Sequence, residues 1–147
     1  MTNSIKVFAP ATVANVACGF DIFGFAVSNP GDEIILRTKN TSGVEITAIY
    51  GDEGRLSKVA EKNTAGIAML AYLKHIGADQ GVSVELHKKM PLGSGLGSSA
   101  ASAVAGVFAL NELMGKPLSQ NKLLPFAMEG ERFASGSAHA DNVAPSL

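Results

Sequence analysis

The residues from Pro91 to Ser102, PLGSGLGSSAAS, carry the strongest chemical signal in this chain, setting Gly93, Gly95 and Gly97 at alternating positions ahead of Ser98 and Ser99. Glycine weakens helix and strand alike, so such a cluster implies a backbone path closed to other residues. One use for that path is an anion site, where loop amides and the first turn of a following helix converge on a phosphate. The other is a tight turn ahead of a closely packed helix. Two common phosphate loops do not fit. G-x-x-x-x-G-K-[ST] needs a lysine after the glycines, and G-x-G-x-x-G meets Ser98 at its last position. The paired serines favour the anion site, because a hydroxyl at a helix start can ligate Mg²⁺ as well as cap.

Other residues able to do chemistry are weaker signals when read singly. Asn15 and Asp21, flanking Gly19, are ordinary turn residues. Glu129 and Glu131 read as a solvated helix face. His75 and His87 are isolated and read as structural, whereas His139 lies in SGSAHADN beside Asp141 and Asn142. The single cysteine, Cys18, excludes an internal disulfide, suggests a reducing compartment and reads as a small packing residue.

Twelve Lys and Arg against 13 Asp and Glu leave a formal charge of −1, which gives no footprint for nucleic acid. With 46% hydrophobic and 17% charged residues, 147 residues suit one soluble domain with its own core. MTNSIKVFAP is too short and mixed in its apolar run for a signal peptide. No apolar stretch is long enough to span a bilayer. The expectation is a cytoplasmic protein that binds neither membrane nor nucleic acid.

The elements that must position these residues follow from periodicity. IKVFAPA and FDIFGFAVS read as strands around a loop from Asn15 to Gly19. DEIILRTK and VEITAIY follow, joined by NTSG as a hairpin turn, with Val44, Ile46, Ala48 and Tyr50 on one buried face. After the polar loop GDEGRLSKVAEK, Asn63 or Thr64 caps a helix with Met69, Leu73 and Ile76 on one face and a stop at Gly77. VSVELHK is a further strand with Val82, Val84 and Leu86 inward. The helix SSAASAVAGVFALNELMG, capped by Ser98 or Ser99, ends at Gly115. Ser119 caps a last helix, QNKLLPFAMEGERFA, disturbed by Pro125 and Gly130. Strands then helices suggest an α+β sandwich with helices on one face of a mixed sheet.

Taken together, P-x-x-x-G-L-G-S-S-A-[AS] from Pro91 resembles the nucleotide-binding signature of the GHMP kinases, named for galactokinase, homoserine kinase, mevalonate kinase and phosphomevalonate kinase. Every signature position matches. PATVANVACGFDIFG, from Pro10 to Gly24, is similar to the substrate loop of the homoserine-phosphorylating branch, and SGSAHADNVAP to its third active-site segment. Ala17-Cys18 departs from the Gly-Pro common there. The branch continues into a second domain that carries another glycine-rich motif and carboxylate-binding arginines. Arg37, Arg55 and Arg132 match none of these, so residues 1–147 are expected to be the amino-terminal, ATP-binding half, without its carboxy-terminal domain.

The resemblance implies ATP, Mg²⁺ and phosphoryl transfer to the hydroxyl of L-homoserine, a step of threonine biosynthesis, with a possible homodimer at full length. It places Pro91, Leu92, Gly93, Ser94, Gly95, Leu96, Gly97, Ser98, Ser99, Ala100 and Ala101 around ATP, with Asn63 and Lys88 near adenine. For those last two, a helix cap and a solvated lysine are equal competitors. Ser99 and Glu131 are the implied metal ligands, with Ser98 and Glu129 as second choices. Asn15, Asp21, His139 and Asn142 are implied at the acceptor, Asp21 on its ammonium and Asn142 aligning its hydroxyl. Asp141 is a minor candidate for general base. The implied fold is the GHMP amino-terminal domain with a left-handed β-α-β crossover, against the right-handed rule that holds in about 98% of cases. Two alternatives stay open: another small-molecule kinase of the superfamily, and a binding module of the same fold.

Overall fold

The structure, a computed structural model, describes residues 4–137 and 139–147. Ala138 of the third segment and the first three residues of MTNSIKVFAP lie outside the described residues. Strands β1 (Ser4–Ala14), β2 (Gly24–Lys39), β3 (Gly43–Tyr50) and β4 (Gly81–His87) form one mixed sheet in the order β1-β2-β4-β3. β1 and β4 flank β2 antiparallel, and β3 runs parallel to β4. Helix α1 (Thr64–Ile76) lies in the crossover between those parallel strands, followed after β4 by α2 (Ser98–Leu113), α3 (Leu124–Ser135) and the single turn α4 (Val143–Ser146). The expected α+β class, with helices on one face, is what forms.

Alternation decides which face is buried. Ile34 and Leu36 of β2 and Val82, Val84 and Leu86 of β4 point to the helices and are almost solvent-free. The opposite face is covered by ion pairs, Lys6–Glu33 at 2.9 Å, Lys39–Glu45 at 2.7 Å and Arg37–Glu85. Between sheet and outer helices runs α2, with 12 of its 16 residues buried. Its small residues make that possible. A Cβ at Gly130 of α3 would stand 2.5 Å from the Thr64 carbonyl and 3.0 Å from Ala103 Cβ, so α3, α1 and α2 meet at backbone distance. Buried polar groups there are paired, Tyr72 donating its hydroxyl to Asn111 Oδ1 at 2.8 Å.

Several expectations are corrected. FDIFGFAVS is not one strand: residues 20–22 form a turn, and β2 starts at Gly24 and continues through Pro30 into DEIILRTK. NTSG is a turn but closes no hairpin, because β4 inserts between β2 and β3. Tyr50 is not inward. A bulge at Thr47 shifts the β3 register, so Ile49 pairs with Leu86 while Tyr50 turns outward and stacks on His87 at 4.8 Å. Pro125 falls in the first turn of α3, where its missing N–H is harmless, rather than disturbing the helix. Ser119 instead precedes a short 3-10 turn, Gln120–Leu123, without a side-chain cap bond. Cys18 is exposed rather than packed into the core.

Candidate functional site

The connection from β4 to α2 is built from below. Asp32, buried on β2, accepts from the backbone N–H groups of Lys89 (2.8 Å) and Met90 (3.2 Å) through Oδ1, and from the Ser98 hydroxyl (2.8 Å) through Oδ2. Lys88 completes the cluster. Its ammonium donates to Asp32 Oδ2, to the Ser98 carbonyl at 2.8 Å and to Ser102 Oγ at 2.5 Å. Burial pulls Lys88 below the ordinary lysine range, and the charge and hydrogen bond of Asp32 oppose that pull. All three ammonium donors are taken. Lys88 is therefore not a solvated lysine, and its ammonium has no donor for a base.

Above this anchor, Gly93, Gly95 and Gly97 all have positive φ (75°, 75° and 65°), which answers why glycine recurs there. Gly97 is also sterically closed, since an added Cβ would lie 2.1 Å from Thr12 Oγ1 and 3.0 Å from Asn142 Oδ1. Neither Ser98 nor Ser99 caps α2. Gly97 holds the cap position, and no side chain accepts from the first turn. The helix amides are left directed at the loop, while both hydroxyls bond elsewhere. Ser99 donates to Glu131 Oε2 at 2.7 Å, bringing α2 and α3 together. Burial raises the Glu131 carboxyl above its ordinary value, the Ser99 donor opposes, and the charge of Asp141 adds to the rise.

A cavity of about 430 Å³ opens over this loop. Leu92 to Ser99 line it, with Asn63, Lys88, Glu131, Asn15 and Asn142 from the expected set. Pro91 is outside the lining, and Ala100 and Ala101 point into the helix packing with no exposed surface. Asn63 is the cap of α1, accepting from Ala65 N–H at 3.1 Å and donating to the Ser57 carbonyl at 2.9 Å. Glu129 faces solvent and pairs with Arg132 at 3.5 Å, and Ser98 is turned to Asp32, so both second choices for the metal lie away from Glu131.

The other two segments send Asn15 and Asn142 into the cavity lining and meet outside it. His139 Nε2 and Asp21 Oδ2 stand 4.0 Å apart, each about half exposed (46% and 48%), outside the cavity lining. Asn15 Oδ1 accepts from Asp21 N–H at 3.3 Å. Asp141 is buried, and its Oδ1 accepts from Asn142 N–H at 3.0 Å. Thr12 links these parts, donating its hydroxyl to Asn142 Oδ1 at 2.8 Å and its N–H to the Leu96 carbonyl at 3.0 Å. Neither Thr12 nor Asp32 is among the residues the sequence singles out, because each reads as a strand position. Lys62, Leu56 and Phe133 also line the cavity unforeseen.

Oxygen atoms make up the whole donor set at Ser99 and Glu131. Among the described residues no group of three or more His, Cys, Asp or Glu could hold a metal ion. One hydroxyl and one carboxylate fit a hard cation that keeps water and phosphate for its other positions, as Mg²⁺ does, and would not suffice for a caged one.

Comparison with known proteins agrees with this geometry. The sequence profile of the GHMP kinases N terminal domain matches residues 63–147. The chain is 51% identical over 154 aligned residues to the homoserine kinase of Chlorobium phaeovibrioides, covering 98% of this chain and 48% of that protein. The crystal structure of homoserine kinase from Cytophaga hutchinsonii matches with a TM-score of 0.93 and 68% identity, over 97% of this chain and 45% of that one. Methanococcus jannaschii mevalonate kinase shares the fold, with a TM-score of 0.75 at 16% identity over 98% of this chain and 51% of that one. The chain spans about half the length of the curated relatives it matches. No helix among the described residues is long and apolar enough to cross a membrane. With a profile match over more than half its length, and a glycine loop, sheet and helices arranged as in those relatives, the chain belongs to the GHMP kinases, as their N-terminal domain.

Proposed function

We propose that this chain is the nucleotide-binding half of a homoserine kinase, which transfers the γ-phosphoryl group of ATP to the hydroxyl of L-homoserine. The observation that carries the reading is the uncapped start of α2 beneath a positive-φ glycine loop, with the Ser99–Glu131 pair beside it. Resemblance over the whole chain to proteins named homoserine kinase supports the acceptor.

In this reading the amides from Gly93 to Ser99 hold the β-phosphate region, and Asn63 and Leu56 flank the base. Ser99 and Glu131 hold Mg²⁺, which when bound neutralises charge on the phosphates. Asp21 binds the ammonium of homoserine with His139 beside it, Asn15 bridges neighbouring polar groups, and Asn142 aligns the hydroxyl. The hydroxyl oxygen forms a bond to the γ-phosphorus as the bond to the β,γ-bridging oxygen breaks and ADP leaves. The hydroxyl proton passes to a phosphoryl oxygen. A loose transition state needs little assistance from a base, and the bond from Asn142 N–H to Asp141 gives that carboxylate a positioning task instead.

Positioning supplies much of such catalysis, so a half-site open to water loses most of it. Coupled ADP release would be measured for the chain alone and for a protein in which it is followed by a carboxy-terminal half like that of its relatives. Homoserine-dependent turnover is expected only in the longer protein, with stabilisation by MgATP in both. Turnover by the chain alone that Gly97→Asp abolishes would overturn the division into halves. Absence of any MgATP effect would overturn the nucleotide site.

A further inference from the structure

Thr12 belongs to β1, yet it is buried completely and touches both halves of the cavity. Its N–H donates to the Leu96 carbonyl inside the glycine loop (3.0 Å), and its hydroxyl donates to Asn142 Oδ1 (2.8 Å). The space is filled on the third side by Gly97, where a Cβ would clash with Thr12 Oγ1 at 2.1 Å. A carboxamide offers one acceptor oxygen and one donor nitrogen. With Oδ1 turned to Thr12, what Asn142 presents to the cavity is Nδ2–H, for which no acceptor stands among the described residues.

We propose that Thr12 is a positioning residue that fixes the amide orientation of Asn142 and docks it against the glycine loop, so that acceptor alignment and nucleotide binding share one rigid joint. The inference rests on the functional reading above. It adds that Asn142 acts only as a donor, toward the acceptor hydroxyl oxygen or a phosphoryl oxygen, and takes no proton from the hydroxyl. It also explains why the loop's last glycine admits no side chain. Any atom there would push Thr12 off Asn142.

The test compares Thr12→Val, which keeps the shape and removes the donor, with Thr12→Ser, which keeps the donor. On the chain itself, the Asn142 side-chain ¹³Cγ resonance is expected to shift upfield in Thr12→Val and to stay in place in Thr12→Ser. A resonance unmoved in Thr12→Val would overturn the proposal whatever the enzyme phosphorylates. In the longer protein, Thr12→Val should lower kcat about tenfold, the scale of one lost buried hydrogen bond, with the KM for ATP nearly unchanged. The deciding measurement is a double-mutant cycle. In an Asn142→Ala background Thr12→Val should have almost no further effect on kcat. Equal losses in both backgrounds would make Thr12 merely structural and overturn the proposal. Asn142→Asp should be as inactive as Asn142→Ala, because Oδ2 replaces the donor. Retained activity there would mean that the amide presents its oxygen. Should the protein act on another alcohol, the homoserine assignment fails while the spectroscopic arm stands, and the cycle is run with that alcohol.

Discussion

The glycine loop and the segment from Asn15 to Phe23 approach the same cavity and are held in different ways. Beneath the glycine loop, Asp32 and Lys88 gather two backbone amides from the residues that follow β4, and a carbonyl and two serine hydroxyls from α2. The segment from Asn15 to Phe23 bonds chiefly to itself, through Gly19 N–H to the Val16 carbonyl (2.9 Å) and Phe23 N–H to the Gly19 carbonyl (2.8 Å). It places three non-glycine residues at positive φ, Asn15, Ala17 and Asp21, and leaves Phe20 and Ile22 65% and 76% exposed. A phosphate site made of amides must be set before its ligand arrives, because backbone dipoles bind well only when already aimed. Under the proposed function, an acceptor site made of side chains on a local turn can be completed by whatever covers it.

The largest effect expected from breaking that contrast is at the anchor. Asp32→Ala leaves the Lys88 ammonium buried without its carboxylate and removes the acceptor of two loop amides. Loss of one partner of a buried ion pair typically costs about 3–5 kcal/mol. Urea unfolding should show a loss of that order, with MgATP binding lost in parallel. Replacing both partners, Asp32→Leu with Lys88→Met, should recover much of the stability, because an apolar pair leaves no stranded charge, but not the loop geometry. A loss below about 1 kcal/mol for Asp32→Ala, the scale of an exposed pair, would show that the anchor is not needed.

An intermediate effect belongs to Glu131, where function and stability oppose each other. Its folded carboxyl is raised above the ordinary value of 4.5, chiefly by burial. The folded state therefore binds this proton more tightly than the unfolded chain does. Its contribution to stability is present below the ordinary value and is lost as pH rises through the raised one. Glu131→Gln carries no charge to bury, so it should melt above the wild type at pH 7–8, with the gap closing below about pH 4.5. The gain should be about 1 kcal/mol or less, since the site is partly open to solvent. The same variant should lose the Mg²⁺-dependent part of stabilisation by ATP. A melting temperature lower than wild type at pH 8, with that Mg²⁺ effect intact, would remove Glu131 from the metal.

The same contrast explains what could be read in the sequence. The loop was legible because its constraint is local, three glycines at positive φ within five residues, and α1 was legible for the same reason, with Asn63 as cap and Gly77 as stop. The pairing of Ser99 with Glu131, 32 positions apart, came only from resemblance to a family motif. Strand order was hidden, because NTSG looks the same whether the next strand pairs directly or leaves room for β4. The tasks of Asp32 and Thr12 were hidden too. Each occupies a strand position whose side-chain partners come from residues 56 or more positions away, and no local pattern marks such a carboxylate or hydroxyl.

The smallest effect expected is at Ala17, where φ is 49° and a side chain brings Cβ against the backbone. For an L-residue that conformation costs roughly 1–2 kcal/mol. Ala17→Gly removes the strain but adds unfolded-state entropy worth about 0.5–1 kcal/mol, so a net gain of about 0.5 kcal/mol is expected. In a chain of this size that raises the melting temperature by about 1–2 °C. The control is Ala26→Gly, at an exposed position in β2 with no positive φ, where the same change should destabilise. Because the segment is held by its own turns, the gain should also be visible locally, as slower hydrogen exchange at the N–H groups of Ile22 and Phe23, which bond to the Gly19 carbonyl. If Ala17→Gly and Ala26→Gly lowered the melting temperature equally, and exchange at Ile22 and Phe23 quickened, the left-handed turn at Ala17 would carry no strain. The segment from Asn15 to Phe23 would then be as fully determined by its sequence as the glycine loop.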